Sequence, residues 1–333
     1  MCAGGWGKNL IRNYYQIDSA DLRWVCDLDD QKRYASQSQF PATFDTAHLD
    51  DLLDDSELDA VVIATTAPSH YSLGKRVLLA GKDLYIEKPF TLSVEDAREL
   101  IEIANENRRI LMVGHLLEYH PVVVKLKEMI DEGYLGDIRY IYSQRLNLGT
   151  IRGDENAMWN FAPHDISVIL YLLGREPSDV SARGQSYLQP GIEDVVFMSM
   201  NFGGEVMGHV HVSWLDPHKI RKLTIVGSKR MAVFDDLEAT EKLKIYDKGA
   251  EINTDYDTFA EYIGLRFGDI TVPYIRVGEP LKIECEHFLS CVRDRLRPKS
   301  DGYDGLRVVD VLEAADRSLR NNGSPESLAG SSS

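Results

Sequence analysis

Hydrophobic positions in the first third of the chain follow two alternating patterns. Short apolar runs at Leu22 to Cys26, Leu58 to Ala64, Asp83 to Ile86 and Ile110 to Val113 carry the aliphatic and β-branched residues of buried strands. Between them, Lys8 to Tyr15, His70 to Ala80 and Ser93 to Asn107 place apolar residues three and four apart, which predicts amphipathic helices. Ser93 with Asp96 supplies a helix start, since a serine oxygen can accept the backbone N–H three residues on. Strands alternating with helices imply a parallel, doubly wound sheet.

Beyond about residue 118 the pattern changes. Val122 to Glu132 is one further helix, and longer strand-like runs follow at Ile138 to Leu148, Val180 to Tyr187, Val195 to Phe202, Glu205 to Trp214, Lys222 to Val226 and Met231 to Asp235. Consecutive strands without helices between them predict an antiparallel sheet. A helix from Ala162 to Leu173 lies between the first two of these runs and ends at Gly174, and Leu281 to Arg293 and Gly305 to Arg320 predict two closing helices. The expected architecture is α/β, with a doubly wound dinucleotide-binding domain over 1–118 and a substrate-binding and oligomerisation domain with a large, mainly antiparallel sheet over 119–322. Residues 323–333 are expected to form a flexible, dispensable tail, because serine and glycine dominate them.

Composition supports two conventional globular domains: 333 residues, 44% hydrophobic and 27% charged. Lys and Arg number 37 against 53 Asp and Glu, a net charge of -16. That balance argues against a nucleic-acid partner, so any phosphate must be held locally by helix amino ends and backbone N–H groups. The four cysteines, Cys2, Cys26, Cys285 and Cys291, form no CxxC pair, so reduced thiols and no metal site are expected. The chain shows neither a charged-then-apolar leader nor a long uncharged apolar run, which points to a cytoplasmic protein without a membrane partner.

Three segments carry candidate chemistry. Cys2-Ala3-Gly4-Gly5-Trp6-Gly7 runs directly into a helix pattern, and Asp27 ends the next strand roughly 20 residues later, the layout of a dinucleotide-binding turn. Glycines there let the backbone approach a pyrophosphate, and the Asp27 carboxylate can accept bonds from ribose hydroxyls, which favours NAD over NADP. Cys2 occupies the position of the usual first glycine, and almost no residues precede it, so the expected domain lacks its first strand. The second segment pairs Thr65, Thr66, Pro68 and His70 after one strand with Glu87, Lys88 and Pro89 after the next, both where parallel strands end and ligands bind, with a cis bond before Pro89 as one way to fix the turn. The third, Trp159-Asn160-Phe161-Ala162-Pro163-His164-Asp165, is expected to open a helix, which would lower the pKa of His164 and suit it to accept a proton.

Together these residues resemble the Gfo/Idh/MocA oxidoreductases, and the resemblance covers nearly the whole chain. Its most specific element is Glu87-Lys88-Pro89, joined by the Trp6-Gly7 turn, the loop ending at His70, Gly114-His115 and His164. The resemblance implies a Rossmann-type first domain, a nicotinamide cofactor, a homodimer or homotetramer, and hydride transfer from a CH–OH group. Lys88 would bond the reacting hydroxyl and His164 would act as acid or base on that same hydroxyl, while Gly4, Gly5, Trp6, Gly7 and the two strand-end loops hold the cofactor. Many members carry an aspartate four residues before the histidine; this chain has Asn160. The segments around Trp6-Gly7-Lys8, Leu146-Asn147-Leu148 and Phe161 to Ser167 look most like the branch that oxidises the 3-hydroxyl of UDP-N-acetylglucosamine-type sugars. That branch implies sugar or diphosphate contacts from Tyr119, His120, Asn147, Arg152, Trp159 and Asn160. The alternatives are a free-sugar or cyclitol dehydrogenase and a non-catalytic dinucleotide-binding sensor.

Overall fold

A computed structural model describes residues 3–252, 263–276 and 278–329, so Cys2 and the last four residues lie outside the described part. The chain begins with α1 (Gly7–Gln16), β1 (Trp24–Cys26), α2 (Asp30–Gln39), β2 (Phe44–Thr46), α3 (Leu49–Leu53), β3 (Ala60–Ile63), α4 (His70–Leu79), β4 (Asp83–Glu87), α5 (Val94–Glu106) and β5 (Leu111–Gly114). It continues through α6 (Pro121–Asp131), β6 (Ile138–Leu146), α7 (Ala157–Leu173), β7 (Asp179–Gln185), β8 (Val195–Asn201), β9 (Met207–Ser213), β10 (Ile220–Gly227), β11 (Met231–Asp235), β12 (Leu243–Ile252) and β13 (Ile263–Thr271). The last elements are α8 (Pro280–Asp294), α9 (Gly302–Arg320) and β14 (Glu326–Ser327).

Two compact units result: Met1–Tyr119 with Gly278–Asp310, and His120–Val277 with Val311–Ser333. The first unit therefore recruits α8, which the sequence pattern leaves in the second domain. The reason is apolar burial: Leu281, Cys285 and Phe288 of α8 pack with Leu10, Tyr14, Tyr85 and Met112 in one core. Within this unit β3, β4 and β5 form a parallel ladder, and β1 and β2 form a second parallel pair. No strand precedes α1 among the described residues. Every residue of β4 and β5 is buried, as expected for parallel strands covered on both faces.

In the second unit nine strands form one sheet in the order β13-β12-β11-β10-β6-β9-β8-β7-β14. All its pairings are antiparallel except β6 with β9, so the expected large and mainly antiparallel sheet is present. β12 and β13 escape the hydrophobic pattern because they carry polar residues at many positions, β13 as the sheet's edge strand and β12 as the strand next to it. α2 escapes it too: among its ten residues only Ser36 is buried, so no apolar stripe marks it, and the Asp29 side chain starts it by accepting the N–H groups of Gln31 and Lys32.

Two expectations need correction. α7 begins at Ala157 rather than Ala162, because the Asn156 side chain caps it by accepting the Trp159 N–H. Pro163 and His164 thus sit inside the helix, about two turns from its amino end, where the terminal dipole has faded, so the argument from that dipole for a lowered His164 pKa does not hold. The helix does end at Gly174, whose left-handed φ of 65° suits glycine. The tail is also not free: Glu326 and Ser327 pair with Val180 and Asp179 of β7, Leu328 is only 3% exposed, and Arg317 donates to the Ser327 carbonyl. One buried leucine and a short edge pairing supply the docking that composition hides.

Candidate active site

The glycine turn of the first unit is tied to the end of β1. The Ala3 N–H donates to Asp27 Oδ2 at 2.7 Å and the Asp29 N–H to Asp27 Oδ1 at 2.9 Å, so one buried carboxylate holds both backbones. α1 then starts at Gly7 without a side-chain cap and with no acidic residue in its first turn. Its amino end points its positive dipole at an anion, with the Lys8 and Asn9 N–H groups donating to the Gly4 and Trp6 carbonyls, and a Cβ added at Gly5 would meet nothing within 4 Å. These features fit a dinucleotide pyrophosphate beside Gly4, Gly5, Trp6 and Gly7.

Lys88 follows β4 in a loop fixed from three sides. Glu87 accepts the Trp6 indole N–H at 2.7 Å and the Tyr85 hydroxyl at 3.2 Å on the same oxygen, Oε1, and its Oε2 accepts the Lys88 N–H at 3.3 Å. The Lys88-Pro89 bond is cis. His70, at the start of α4, sets its Nδ1 2.8 Å from the Pro89 carbonyl and its Nε2 3.1 Å from the Thr65 carbonyl. Burial pushes the His70 pKa down against the pull of those carbonyls, so the ring is neutral and donates to one of them. The ring therefore clasps the loop after β3 to the loop after β4. Ser69 closes the first of these by donating to Thr65 Oγ1 and the Thr66 carbonyl, while Pro68 stands exposed on it.

Beneath this loop lies a buried set of groups the sequence reading missed. Tyr85 precedes Glu87 by two residues, hence on the same face of β4, and a Cβ at Gly114 on neighbouring β5 would stand 2.6 Å from the Tyr85 hydroxyl and 3.0 Å from Glu87 Oε2. Only glycine fits that approach. Glu284 of α8 is wholly buried, and burial with the nearby Glu87 charge raises its pKa well above the carboxylate range, which keeps it protonated. Burial likewise raises Glu87. His115 is buried too, its pKa lowered to about 3 by burial first and then by the Arg307 and Lys88 charges. Glu284 was legible as a single acid on the apolar face of α8, four residues before Phe288.

In the second unit, α7 carries His164 half-buried and beside Asp165, whose carboxylate takes the Arg145 Nε at 2.7 Å and the Ser143 hydroxyl, both from β6. This buried ion pair locks one face of α7 to the sheet. Asn160, one turn before His164, donates to Glu155 Oε1 at 2.7 Å and accepts the Trp214 indole N–H at 3.4 Å. The carboxylate absent at position 160 is thus one hydrogen bond away, on Glu155. Arg152 is held by Asp154 and Glu155, Asn147 follows β6 half-buried, and the Trp159 indole N–H is committed to Asp316.

Tyr119 and His120 do not present free polar atoms. The Tyr119 hydroxyl meets Ser300 Oγ at 2.9 Å in the first unit's core, while His120 Nδ1 caps α6 by accepting the Val122 N–H and its ring packs on Phe234. Their burial makes them structural, against the substrate contacts expected of them. Among the described residues no group of three His, Cys, Asp or Glu could hold a metal, and no helix is long and apolar enough to cross a membrane.

Residues 2–115 match the family model described as "Oxidoreductase family, NAD-binding Rossmann fold", and residues 123–233 match the model for the GFO/IDH/MocA C-terminal domain. The UDP-N-acetylglucosamine 3-dehydrogenase of Acidithiobacillus ferrooxidans is 30% identical over 256 residues, which cover 76% of each chain. The scyllo-inositol 2-dehydrogenase (NAD(+)) of Bacillus subtilis is 27% identical over 81% of this chain and 78% of its own. A solved structure of the Acidithiobacillus enzyme superposes with a TM-score of 0.80 at 25% identity, covering 96% of both chains.

Proposed function

The chain belongs to the Gfo/Idh/MocA family of oxidoreductases, and from that premise we propose that it oxidises the 3-hydroxyl of a UDP-N-acetylhexosamine-type nucleotide sugar with NAD. Membership makes it a nicotinamide-dependent dehydrogenase of sugar-type hydroxyls. The choice of NAD over NADP rests on Asp27, whose carboxylate would repel a 2′-phosphate. The nucleotide-sugar reading rests on the likeness to the Acidithiobacillus enzyme.

The observation that carries the reading is the Trp6–Glu87 hydrogen bond, which joins the glycine turn to the loop bearing Lys88. Thr65, Thr66, Pro68, His70 and the Glu87 to Pro89 loop stand at the carboxyl ends of β3 and β4, where a dinucleotide lies in such sheets. Bound there, the cofactor supplies the hydride acceptor. Lys88 donates a hydrogen bond to the substrate hydroxyl and stabilises the alkoxide as its proton leaves. His164 accepts that proton at a ring nitrogen, with Asp165 and Arg145 holding its helix in place. Asn147, Arg152 and Asn160 remain candidates for sugar or diphosphate contacts, and Arg152 would exchange Asp154 for the diphosphate.

The test is NADH formation with UDP-N-acetylglucosamine, its uronic acid form, free glucose and inositol in parallel. Turnover of the nucleotide sugars alone is expected. Turnover confined to inositol would replace the substrate by a cyclitol, and tight NAD binding without any turnover would replace the enzyme by a sensor.

A further inference from the structure

Two carboxyl groups of the first unit face each other in its core, and only one of them is bonded. Glu87 is engaged on both oxygens: Oε1 accepts the Trp6 indole N–H at 2.7 Å and the Tyr85 hydroxyl at 3.2 Å, and Oε2 accepts the Lys88 N–H at 3.3 Å. Glu284 of α8 is wholly buried, and neither of its carboxyl oxygens has a hydrogen-bond partner among the described residues. Buried polar groups are nearly always paired, and a buried carboxyl left alone is costly. The residues around it on α8 are apolar: Leu281, Cys285 and Phe288 pack in the core with Tyr85, and the Phe288 ring meets the Tyr85 ring edge-on at 5.7 Å. A helix that only had to pack would carry an aliphatic residue at position 284.

The groups around Glu284 decide its state. Glu87 and Tyr85 face it from β4, Tyr14 from α1, Glu118 and Tyr119 from the turn after β5, and Cys285 from its own helix. None of these is a cation. Burial first, and then the Glu87 charge, hold Glu284 protonated, which makes it a hydrogen-bond donor. The Tyr85 hydroxyl is within its reach and directs its own proton to Glu87, which leaves the Tyr85 oxygen free to accept. A hydroxyl that accepts one bond donates a stronger one. A Cβ at Gly114 would stand 2.6 Å from the Tyr85 hydroxyl and 3.0 Å from Glu87 Oε2, so both oxygens are confined where they are.

We infer that Glu284 is a positioning residue for the reaction: as a neutral acid it donates to the Tyr85 oxygen, and through Tyr85 it keeps Glu87 an anion that fixes the Trp6 indole and the Lys88 backbone. No proton is transferred along this chain of hydrogen bonds. Its effect on turnover rests on the reading of Lys88 as the group that acts on the substrate hydroxyl; the chain itself does not.

Three variants test it. Glu284→Leu removes the donor at similar size, Tyr85→Phe removes the middle link, and Glu284→Gln keeps a neutral donor. The first readout is the indole N–H magnetic resonance of Trp6, assigned by its loss in Trp6→Phe; of the four tryptophans, the other three donate to Asp55, Asp316 and Asn160. Protonation of Glu87 weakens the Trp6 bond and moves this resonance. The midpoint of that movement is expected to rise by roughly one pH unit in Glu284→Leu and in Tyr85→Phe, to rise no further in the double variant, and to stay at the parent value in Glu284→Gln. The infrared difference between parent and Glu284→Gln at neutral pH is expected to show one protonated-carboxyl band in the parent. Absence of that band, or a parent midpoint in Glu284→Leu, overturns the inference. Equal shifts in the Gln and Leu variants would mean that the carboxyl acts by its charge, which overturns it as well. Neither readout uses cofactor or substrate. In turnover, the acid limb of kcat should move with the Trp6 midpoint in Glu284→Leu, with KM within a few fold, and return in Glu284→Gln. An unmoved limb beside a moved midpoint overturns the positioning role, whereas full turnover by Lys88→Met overturns the reading of Lys88 and leaves the hydrogen-bond chain to Glu87 standing.

Discussion

The indole N–H of Trp6 donates to Glu87 Oε1 at 2.7 Å, across 81 positions of sequence, and so couples the glycine turn to the loop that bears Lys88. Glu87 is buried, which raises its pKa, and this bond is the leading influence that pulls it back down. Trp6→Phe keeps the ring and removes the donor. Hydrogen bonds to charged groups contribute about 1.5–3 kcal/mol, so NAD affinity is expected to fall roughly tenfold or more in a fluorescence titration. Unchanged affinity would show that the turn is held without the bond.

Lys88→Met preserves length and removes the charge. Turnover is expected to fall about a hundredfold or more while NAD affinity stays within a few fold of the parent, the mark of a group that acts on the reacting hydroxyl. His164→Asn is expected to behave in the same way. In the double variant the loss should be far smaller than the product of the single losses if both residues serve one proton. Full activity in either single variant removes that residue from the mechanism.

Glu118 supplies a pH signature. Burial raises its carboxyl to about 8 from an ordinary 4.5, so between those values the folded chain holds a proton that the unfolded chain releases. Stability from this group is therefore present below about 4.5 and is lost as the pH rises toward 8, by up to about 1.4 kcal/mol per pH unit. Glu118→Gln removes the titration. The melting temperature of this variant relative to the parent should climb steadily from pH 5 to pH 8, and a difference that stays flat would place an ionised carboxylate in the fold.

Deletion of residues 326–333 should lower the melting temperature by several degrees. It removes the pairing of β14 with β7 and exposes the pocket around Leu328, and large buried side chains contribute about 2–5 kcal/mol when lost. A calorimetric scan of the shortened chain gives the answer directly. No change would return these residues to the status of a loose tail.

Most of the elements could be read from the chain because local pattern and burial agree in them. Ser93 caps α5, four buried-strand runs became β1, β3, β4 and β5, and the cis bond before Pro89 falls where the loop after β4 turns. Misreadings arose where a single side chain outweighs the average of a window. Asn156 moved the start of α7 by five residues and carried His164 from the helix end into its interior. Leu328 docked a segment whose composition reads as disorder.

What the sequence determined by itself was whatever depends on neighbours along the chain: the alternation of strand and helix, the glycine turn leading into α1, and Asp27 and Lys88 at strand ends. Tertiary structure decided which distant groups share a low-dielectric space. It brought Trp6 to Glu87, set His70 between the Thr65 and Pro89 carbonyls, placed Glu284 of α8 in the core beneath Lys88's loop, and turned Tyr119 and His120 inward. The physical reason is that hydrogen-bond geometry and desolvation act at a few ångströms in space, and separations of 81 or 181 residues leave no periodicity in a sequence from which such a meeting could be read.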